Sequence, residues 1–231
     1  ETARRAKFIY INYPNNPTGA VATKAFYEKL VAWAKTYEVG VVSDLAYGAL
    51  GYQGYENPSF LSTPGAKDVG IEFYTFSKTF NMAGWRLAFA TGNEQMIEAL
   101  NLIQDHLFVG IFPALQEAGI TALIDPKSEE AVAQLNATYD SRRDAFVQAA
   151  AKIGWQAFPS RGSFYAWMPV PEGDTSESFA DLLLEKAHVA VAPGKGFGPA
   201  GDAYVRIGLL VEPERLVEAV NRIADLQLFN N

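Results

Sequence analysis

A buried strand that leads into a lysine is predicted by the segment Val69-Gly70-Ile71-Glu72-Phe73-Tyr74-Thr75-Phe76-Ser77-Lys78. Apolar, β-branched and aromatic residues fill most of its first eight positions, as is typical of a strand. The segment Val39-Gly40-Val41-Val42-Ser43-Asp44 repeats the pattern, with a short apolar run that ends in polar residues. An earlier strand, within Lys7-Phe8-Ile9-Tyr10-Ile11-Asn12-Tyr13, ends near Asn12, and a helix is expected at residues 23–37. This alternation predicts a mostly parallel sheet with helices on its faces.

The rest of the chain predicts further elements. A strand is expected at 87–91, a helix at 93–107 and a long helix at 128–153. Beyond Gly154 the pattern is strand, helix, strand and helix, at 162–168, 176–187, 204–210 and 212–226. We therefore predict an α/β fold in three parts, namely part of a large domain at 1–126, a connecting helix at 127–154 and a small α+β domain at 155–231.

Composition excludes several classes of function. The 231 residues include no cysteine, which rules out a disulfide framework, a thiolate nucleophile and thiolate metal sites. Only two histidines are present, far apart in sequence, so we expect no metal site. A net charge of −7 without a basic block argues against nucleic acid as a partner. No apolar run reaches the roughly 18 residues of a membrane span, so we expect a cytoplasmic protein without a membrane partner.

Polar side chains follow each of the three predicted strands. Asn16 comes just beyond the first, Asp44 and Tyr47 follow the second, and Lys78 follows the third. Taken singly, Asn16 is explained as a turn residue, Asp44 as a helix cap and Lys78 as a solvated lysine. Ligands of open α/β sheets, however, bind at the carboxyl ends of the strands. Together the four residues indicate a site for a polar, anionic, nitrogenous ligand.

A reactive lysine would give this set a specific chemistry. A lysine can form a Schiff base with a carbonyl group, and a buried aspartate keeps its charge opposite a cation such as the protonated ring nitrogen of pyridoxal phosphate. Thr75, Ser77 and Arg86 could supply the donors that a phosphate needs.

Four blocks of sequence resemble the class I/II pyridoxal-phosphate-dependent aminotransferases, whose fold is aspartate-aminotransferase-like and of fold type I. The blocks are Asn15-Asn16-Pro17-Thr18-Gly19, Asp44-Leu45-Ala46-Tyr47, Thr75-Phe76-Ser77-Lys78-Thr79-Phe80-Asn81-Met82-Ala83-Gly84-Trp85-Arg86 and Tyr204-Val205-Arg206-Ile207-Gly208. The third block is the most specific. Its Ser-Lys pair is followed, eight residues after the lysine, by an arginine that comes directly after Gly-Trp. The local sequence is most similar to that of the methionine-salvage and LL-diaminopimelate-type transaminases.

The resemblance implies a role for each matching residue. Lys78 matches the Schiff-base lysine that also moves the proton between Cα and the cofactor, and Asp44 matches the partner of the pyridine nitrogen. Tyr47 and Asn16 match donors to the phenolic oxygen of the cofactor. The remaining matches are phosphate ligands at Thr75, Ser77 and Arg86, and a substrate α-carboxylate ligand at Arg206 that acts together with Asn16.

The resemblance also implies a reaction and an extent. We expect a ping-pong transfer of an amino group from an amino acid to a 2-oxo acid, in a homodimer. The family's phosphate-binding turn, its ring-stacking aromatic residue and a tyrosine lent by the partner subunit have no counterpart in residues 1–13. We therefore expect the chain to be the carboxyl-terminal portion of such an enzyme, with weak or no activity by itself.

Two other functions are compatible with the same residues. A pyridoxal-phosphate-dependent C–S β-lyase shares nearly all of them and would release pyruvate from cystathionine without an amino acceptor. A non-catalytic fragment or regulatory module is the second alternative, and it would leave Lys78 without a cofactor adduct.

Overall fold

The computed structural model describes residues 1–229. In these residues the helices are α1 (Thr2–Arg5), α2 (Lys24–Tyr37), α3 (Ala66–Val69), α4 (Phe76–Thr79), α5 (Glu94–Leu107), α6 (Pro113–Ile124), α7 (Lys127–Lys152), α8 (Ser176–Leu182) and α9 (Pro213–Ala224). The strands are β1 (Phe8–Asn12), β2 (Gly40–Asp44), β3 (Gly70–Thr75), β4 (Ala88–Gly92), β5 (Tyr165–Pro169), β6 (Ala192–Pro193) and β7 (Tyr204–Gly208). None of the helices among the described residues is long and apolar enough to cross a membrane.

The chain divides into two compact units. Unit 1 comprises Glu1–Pro14, Val21–Gly51 and Glu56–Leu135, and unit 2 comprises Asn15–Ala20, Tyr52–Tyr55 and the chain from Asn136 onward. Asn16 therefore belongs to the same unit as Arg206. The three-part division at 1–126, 127–154 and 155–231 stays a prediction.

Unit 1 contains a four-stranded sheet in the order β1-β2-β3-β4. The first three strands are parallel, with Asn12 opposite Asp44 and Asp44 opposite Phe73, and β4 is antiparallel to β3. The parallel strands place their carboxyl ends at one edge. Thr23 caps helix α2, since its side chain accepts a hydrogen bond from the Phe26 amide, and the buried face of the helix packs with Val41.

Helix α6 was not predicted, because its own apolar residues are distributed all around the helix and do not recur on one face. Its residues Ala118 and Ala122 pack against Phe76, Met82 and Leu87, which lie on both sides of Lys78 in sequence. The segment that carries Lys78 and Arg86 therefore rests on a small apolar core of its own.

Unit 2 contains a three-stranded antiparallel sheet in the order β5-β7-β6, so β7 is the central strand. Residues of α7, α8 and α9 form one core with this sheet, among them Phe146, Phe179 and Val220. The predicted helix at 176–187 is α8 followed by a π-helical turn at Leu183–Ala187, which ends at His188 in a left-handed conformation.

Candidate active site

Four predicted site residues of unit 1 lie at the carboxyl edge of its sheet. Asp44 ends β2, Thr75 ends β3, and Tyr47 and Lys78 follow these strands within three residues. The amide of Leu45 donates to the carbonyl oxygen of Phe73 at 2.9 Å, which joins the two strand ends. The parallel register thus places the ends of β2 and β3 side by side, with Asp44 at the end of one strand and Lys78 just beyond the other.

The Asp44 carboxylate is exposed in this chain. Its Oδ1 accepts a hydrogen bond from the Ala46 amide at 3.0 Å, and its backbone carbonyl oxygen accepts one from the Asn12 side chain at 3.1 Å. The sequence argument assumed a buried aspartate, and for this chain that assumption is wrong. Both contacts nevertheless hold the aspartate at the strand end.

Tyr47 is 5 % exposed, so its ring is anchored in the core. The turn after it is fastened by Asn57, whose side-chain amide donates to the carbonyl oxygens of Gly48 and Leu50 at 3.1 and 3.0 Å. The short loop that carries Tyr47 therefore has a defined path.

Lys78 lies on the one-turn helix α4, which Thr75 caps. The Ser77 amide donates to the Thr75 hydroxyl at 3.2 Å, and that hydroxyl lies 2.9 Å from the Ser77 hydroxyl. Tyr74 and Thr79 also hydrogen bond through their hydroxyl groups at 2.7 Å, and burial raises the pKa of Tyr74, which keeps the phenol neutral. These bonds hold Lys78 directly beyond β3.

Arg86 is exposed and adopts a left-handed conformation with φ of 55°. Its guanidinium donates to the carbonyl oxygen of Ala83 at 2.9 Å, a contact within its own turn. The other phosphate ligands named from the sequence, Thr75 and Ser77, are in the same short segment. The Phe76 amide donates a hydrogen bond to the Leu87 carbonyl oxygen at 3.2 Å, which links the two ends of this segment.

Sequence reasoning missed the role of Glu72, a carboxylate that is only 5 % exposed. It accepts hydrogen bonds from the Ser43 hydroxyl at 3.0 Å and from the Phe60 amide at 2.9 Å, and it also accepts one from the Ser59 hydroxyl. Ser43 precedes Asp44, and Glu72 lies on the strand that leads to Lys78. A glutamate in an otherwise apolar strand was the available signal.

Arg206 and Asn16 meet in unit 2. The Arg206 guanidinium donates to Asn16 Oδ1 at 2.7 Å although the residues are 190 positions apart. Arg206 lies on the central strand β7, opposite Trp167 of β5. Its Cζ atom is 4.2 Å from the ring centroid of Tyr165 and 4.7 Å from that of Phe197. Neither aromatic residue was predicted, because no local pattern relates them to Arg206.

His106 and the glycine-rich segment at 194–198, which lie outside the predicted site, take part in local structure. Among residues 1–229, no three His, Cys, Asp or Glu side chains are grouped so as to hold a metal ion. His106 Nδ1 lies 2.8 Å from the carbonyl oxygen of Leu102 within α5. The segment Gly194-Lys195-Gly196-Phe197-Gly198 is a short 3₁₀ turn, Gly194–Phe197, followed by a second at Pro199–Ala203.

Comparison with known proteins identifies the family. The family model described as aminotransferase class I and II matches residues 1–223. The chain belongs to this family. The predicted family resemblance and the α/β fold of type I are therefore confirmed, and the family depends on pyridoxal phosphate.

Individual relatives support the assignment. The chain is 57% identical over 229 residues to the L-glutamine–4-(methylsulfanyl)-2-oxobutanoate aminotransferase of Bacillus subtilis, covering 99% of this chain and 57% of the relative. It is 48% identical over 223 residues to the LL-diaminopimelate aminotransferase of Moorella thermoacetica, covering 96% of this chain and 57% of the relative. A solved aminotransferase from Staphylococcus aureus superimposes with a TM-score of 0.94 at 40% identity, covering 98% of this chain and 60% of that one. The chain thus spans less than two thirds of the length of these aminotransferases.

Proposed function

We propose that the full-length protein containing this chain is a pyridoxal-phosphate-dependent aminotransferase that transfers an amino group from an amino acid to a 2-oxo acid. The observation that carries the proposal is the placement of Asp44, Tyr47 and Lys78 at one edge of the unit 1 sheet, in a chain of the aminotransferase family.

The residues of unit 1 fit the chemistry of this cofactor. Asp44 offers a carboxylate for a protonated ring nitrogen, and Tyr47 offers a hydroxyl for a phenolic oxygen. Hydroxyl and guanidinium donors for a phosphate come from Thr75, Ser77 and Arg86. When bound, pyridoxal phosphate supplies an electron sink that stabilises negative charge at the substrate Cα.

Lys78 is proposed to be the catalytic residue. Its amine can hold the cofactor covalently and, once a substrate amine has displaced it, can remove and return the proton at the substrate Cα. The cap of α4 and the bond between Tyr74 and Thr79 support this part of the proposal, because they hold the lysine where β3 ends.

Arg206 is proposed to bind the α-carboxylate of the substrate, with Asn16 beside it. The planar fork of an arginine can donate two parallel hydrogen bonds to a carboxylate, which fixes its orientation as well as its position. The bond from Arg206 to Asn16 occupies one nitrogen and leaves other donors of the fork for the ligand.

The named relatives suggest two substrate pairs to test. We propose L-glutamine with 4-(methylsulfanyl)-2-oxobutanoate first, because the relative that carries this name is 57% identical. LL-diaminopimelate is the second candidate, because a relative of that name is 48% identical.

The test uses full-length protein, including any residues outside these 231, supplied with pyridoxal phosphate. We expect methionine to form from glutamine and 4-(methylsulfanyl)-2-oxobutanoate, and we expect borohydride treatment to attach a phosphopyridoxyl group to Lys78. The variant Lys78→Ala should lose both, whereas Lys67→Ala, in an exposed lysine of α3, should keep both. Failure to transfer an amino group across a broad panel, with an unmodified Lys78, would overturn the proposal. Pyruvate release from cystathionine without an acceptor would instead support the β-lyase alternative.

The homodimer and the cytoplasmic location remain predictions. Light scattering of the full-length protein should give twice the subunit mass, and a monomeric mass with full activity would contradict the predicted homodimer.

A further inference from the structure

Among the described residues, the Arg206 guanidinium has no carboxylate partner. Among residues 1–229 the ion pairs of arginine involve Arg142, Arg143, Arg215 and Arg222, and none involves Arg206. Its hydrogen bond goes to the neutral amide oxygen of Asn16 at 2.7 Å. A partly buried guanidinium beside a neutral amide favours an anionic ligand.

Two aromatic rings stabilise this cation. The Arg206 Cζ atom lies over the Tyr165 ring at 4.2 Å and over the Phe197 ring at 4.7 Å, both within the roughly 6 Å at which a ring attracts a cation. A carboxylate would neutralise the arginine and occupy its donors. An aromatic ring attracts the cation but leaves the charge and the N–H fork available to a ligand.

The ring of Phe197 is placed by a turn that hydrogen bonds fasten to α8. The Ser176 hydroxyl is fully buried, accepts a hydrogen bond from the Lys195 amide at 3.1 Å and donates to Asp202 Oδ1 at 2.8 Å. Gly194, the first residue of this turn, lies so close to Gly201 and Tyr204 that a Cβ atom there would overlap their carbonyl oxygens. The turn before Phe197 therefore has little freedom to move.

We propose that Tyr165 and Phe197 are positioning residues that hold the Arg206 guanidinium for the substrate α-carboxylate, with Ser176 fixing the turn that carries Phe197. This inference rests on the proposed function, since it assumes that Arg206 meets a carboxylate. It adds two residues from separate elements, β5 and the 3₁₀ turn Gly194–Phe197, to the carboxylate site.

The test compares a substrate that has the carboxylate with one that lacks it. In full-length protein with cofactor, Phe197→Leu should raise the KM for methionine about tenfold, because the partly buried Arg206 cation loses one of its two aromatic rings. The same variant should change kcat little. The KM for 3-(methylsulfanyl)propylamine, which lacks the carboxylate, should stay the same. Tyr165→Leu removes the other ring and should raise the KM for methionine in the same direction. Phe108→Leu, in an exposed phenylalanine of unit 1, is the control for the substitution itself.

A double-mutant cycle gives a second readout. In an Arg206→Leu background, Phe197→Leu should leave the affinity for 4-(methylsulfanyl)butanoate, measured by calorimetry, unchanged. Equal losses for methionine and the amine, or a loss that persists without Arg206, would overturn this inference. A wild type that neither transfers an amino group nor modifies Lys78 would instead overturn the proposed function, so the two failures are distinguishable. Because Phe197 is 41% exposed, its substitution should not prevent folding.

Discussion

The surroundings of Lys78 and Arg206 differ in how the chain holds a functional side chain. Lys78 lies on a one-turn helix whose hydrogen bonds come mainly from its own segment and from the end of β3. Arg206 lies on the central strand of a sheet, and its neighbours come from β5, from the Phe197 turn and from the segment around Asn16. The first site depends on local sequence, and the second depends on contacts between distant segments.

This difference has consequences for substitution. Changes near Lys78 should act through the cap and the strand that support its segment. Changes near Arg206 should act through residues far away in sequence, because the strand itself is fixed by the sheet.

The largest effect is expected for Arg206→Lys. A lysine cannot present the planar fork, so kcat/KM for amino acid substrates should fall about 100-fold in the full-length protein. The matched control is Arg215→Lys, in an exposed arginine of α9 that pairs with Glu218, and it should leave kcat/KM unchanged. Comparable activity of Arg206→Lys and the wild type would remove the assigned role of Arg206.

The next effect concerns the support of the Lys78 edge. Glu72→Ala should lower the free energy of unfolding by about 3 kcal/mol, because the donors of Ser43, Ser59 and Phe60 lose their acceptor in a buried position. Urea unfolding of the full-length protein measures this. Glu98→Ala, in an exposed glutamate of α5, should have almost no effect, and equal midpoints for the two variants would contradict the structural role of Glu72.

A smaller loss is expected for Thr75→Ala. Removing the cap of α4 should cost about 1 kcal/mol of stability and should weaken cofactor binding, since the same hydroxyl is proposed to bind the phosphate. Equilibrium dialysis with pyridoxal phosphate and urea unfolding give the two quantities. Thr36→Ala, whose exposed hydroxyl bonds to Ala32, is the control, and a normal cofactor affinity in Thr75→Ala would argue against the phosphate role.

The smallest effect is a pH dependence of the Phe197 turn. Hydrogen bonds from the Ser176 hydroxyl and amide hold the pKa of Asp202 below its ordinary value of 3.8. A carboxyl whose pKa is lower in the folded state stabilises the protein above its unfolded pKa, and this contribution disappears as the pH falls through the folded pKa. The stability difference between wild type and Asp202→Asn should therefore be present at neutral pH and shrink below about pH 4.

Thermal unfolding between neutral and acidic pH measures this difference. Asp181→Asn, in an exposed aspartate of α8, serves as the control for a change of charge alone. A difference that stays constant across the pH range would show that Asp202 does not act through its ionised form.

The elements predicted best were those with a strong local pattern. Helix α2 coincides with the predicted helix at 23–37, and β3 lies within the predicted strand. The antiparallel direction of β4 and helix α6 were not predicted, since direction depends on the neighbouring strand and α6 lacks an apolar stripe. Asp44, Tyr47 and Lys78 could be grouped from the sequence because parallel strands place their ends at one edge, whereas Asn16 belongs to unit 2 together with Arg206.

The sequence by itself determined the family, the alternation of strands and helices, and the side chains that are proposed to carry the chemistry, because these depend on residue type and spacing along the chain. The tertiary structure alone decided which neighbours those side chains meet. The contact of Arg206 with Asn16, Tyr165 and Phe197, and that of Glu72 with Ser43 and Ser59, join residues from separate segments. Such contacts arise from strand register and from the packing of loops against the sheet, and a one-dimensional pattern carries no record of either.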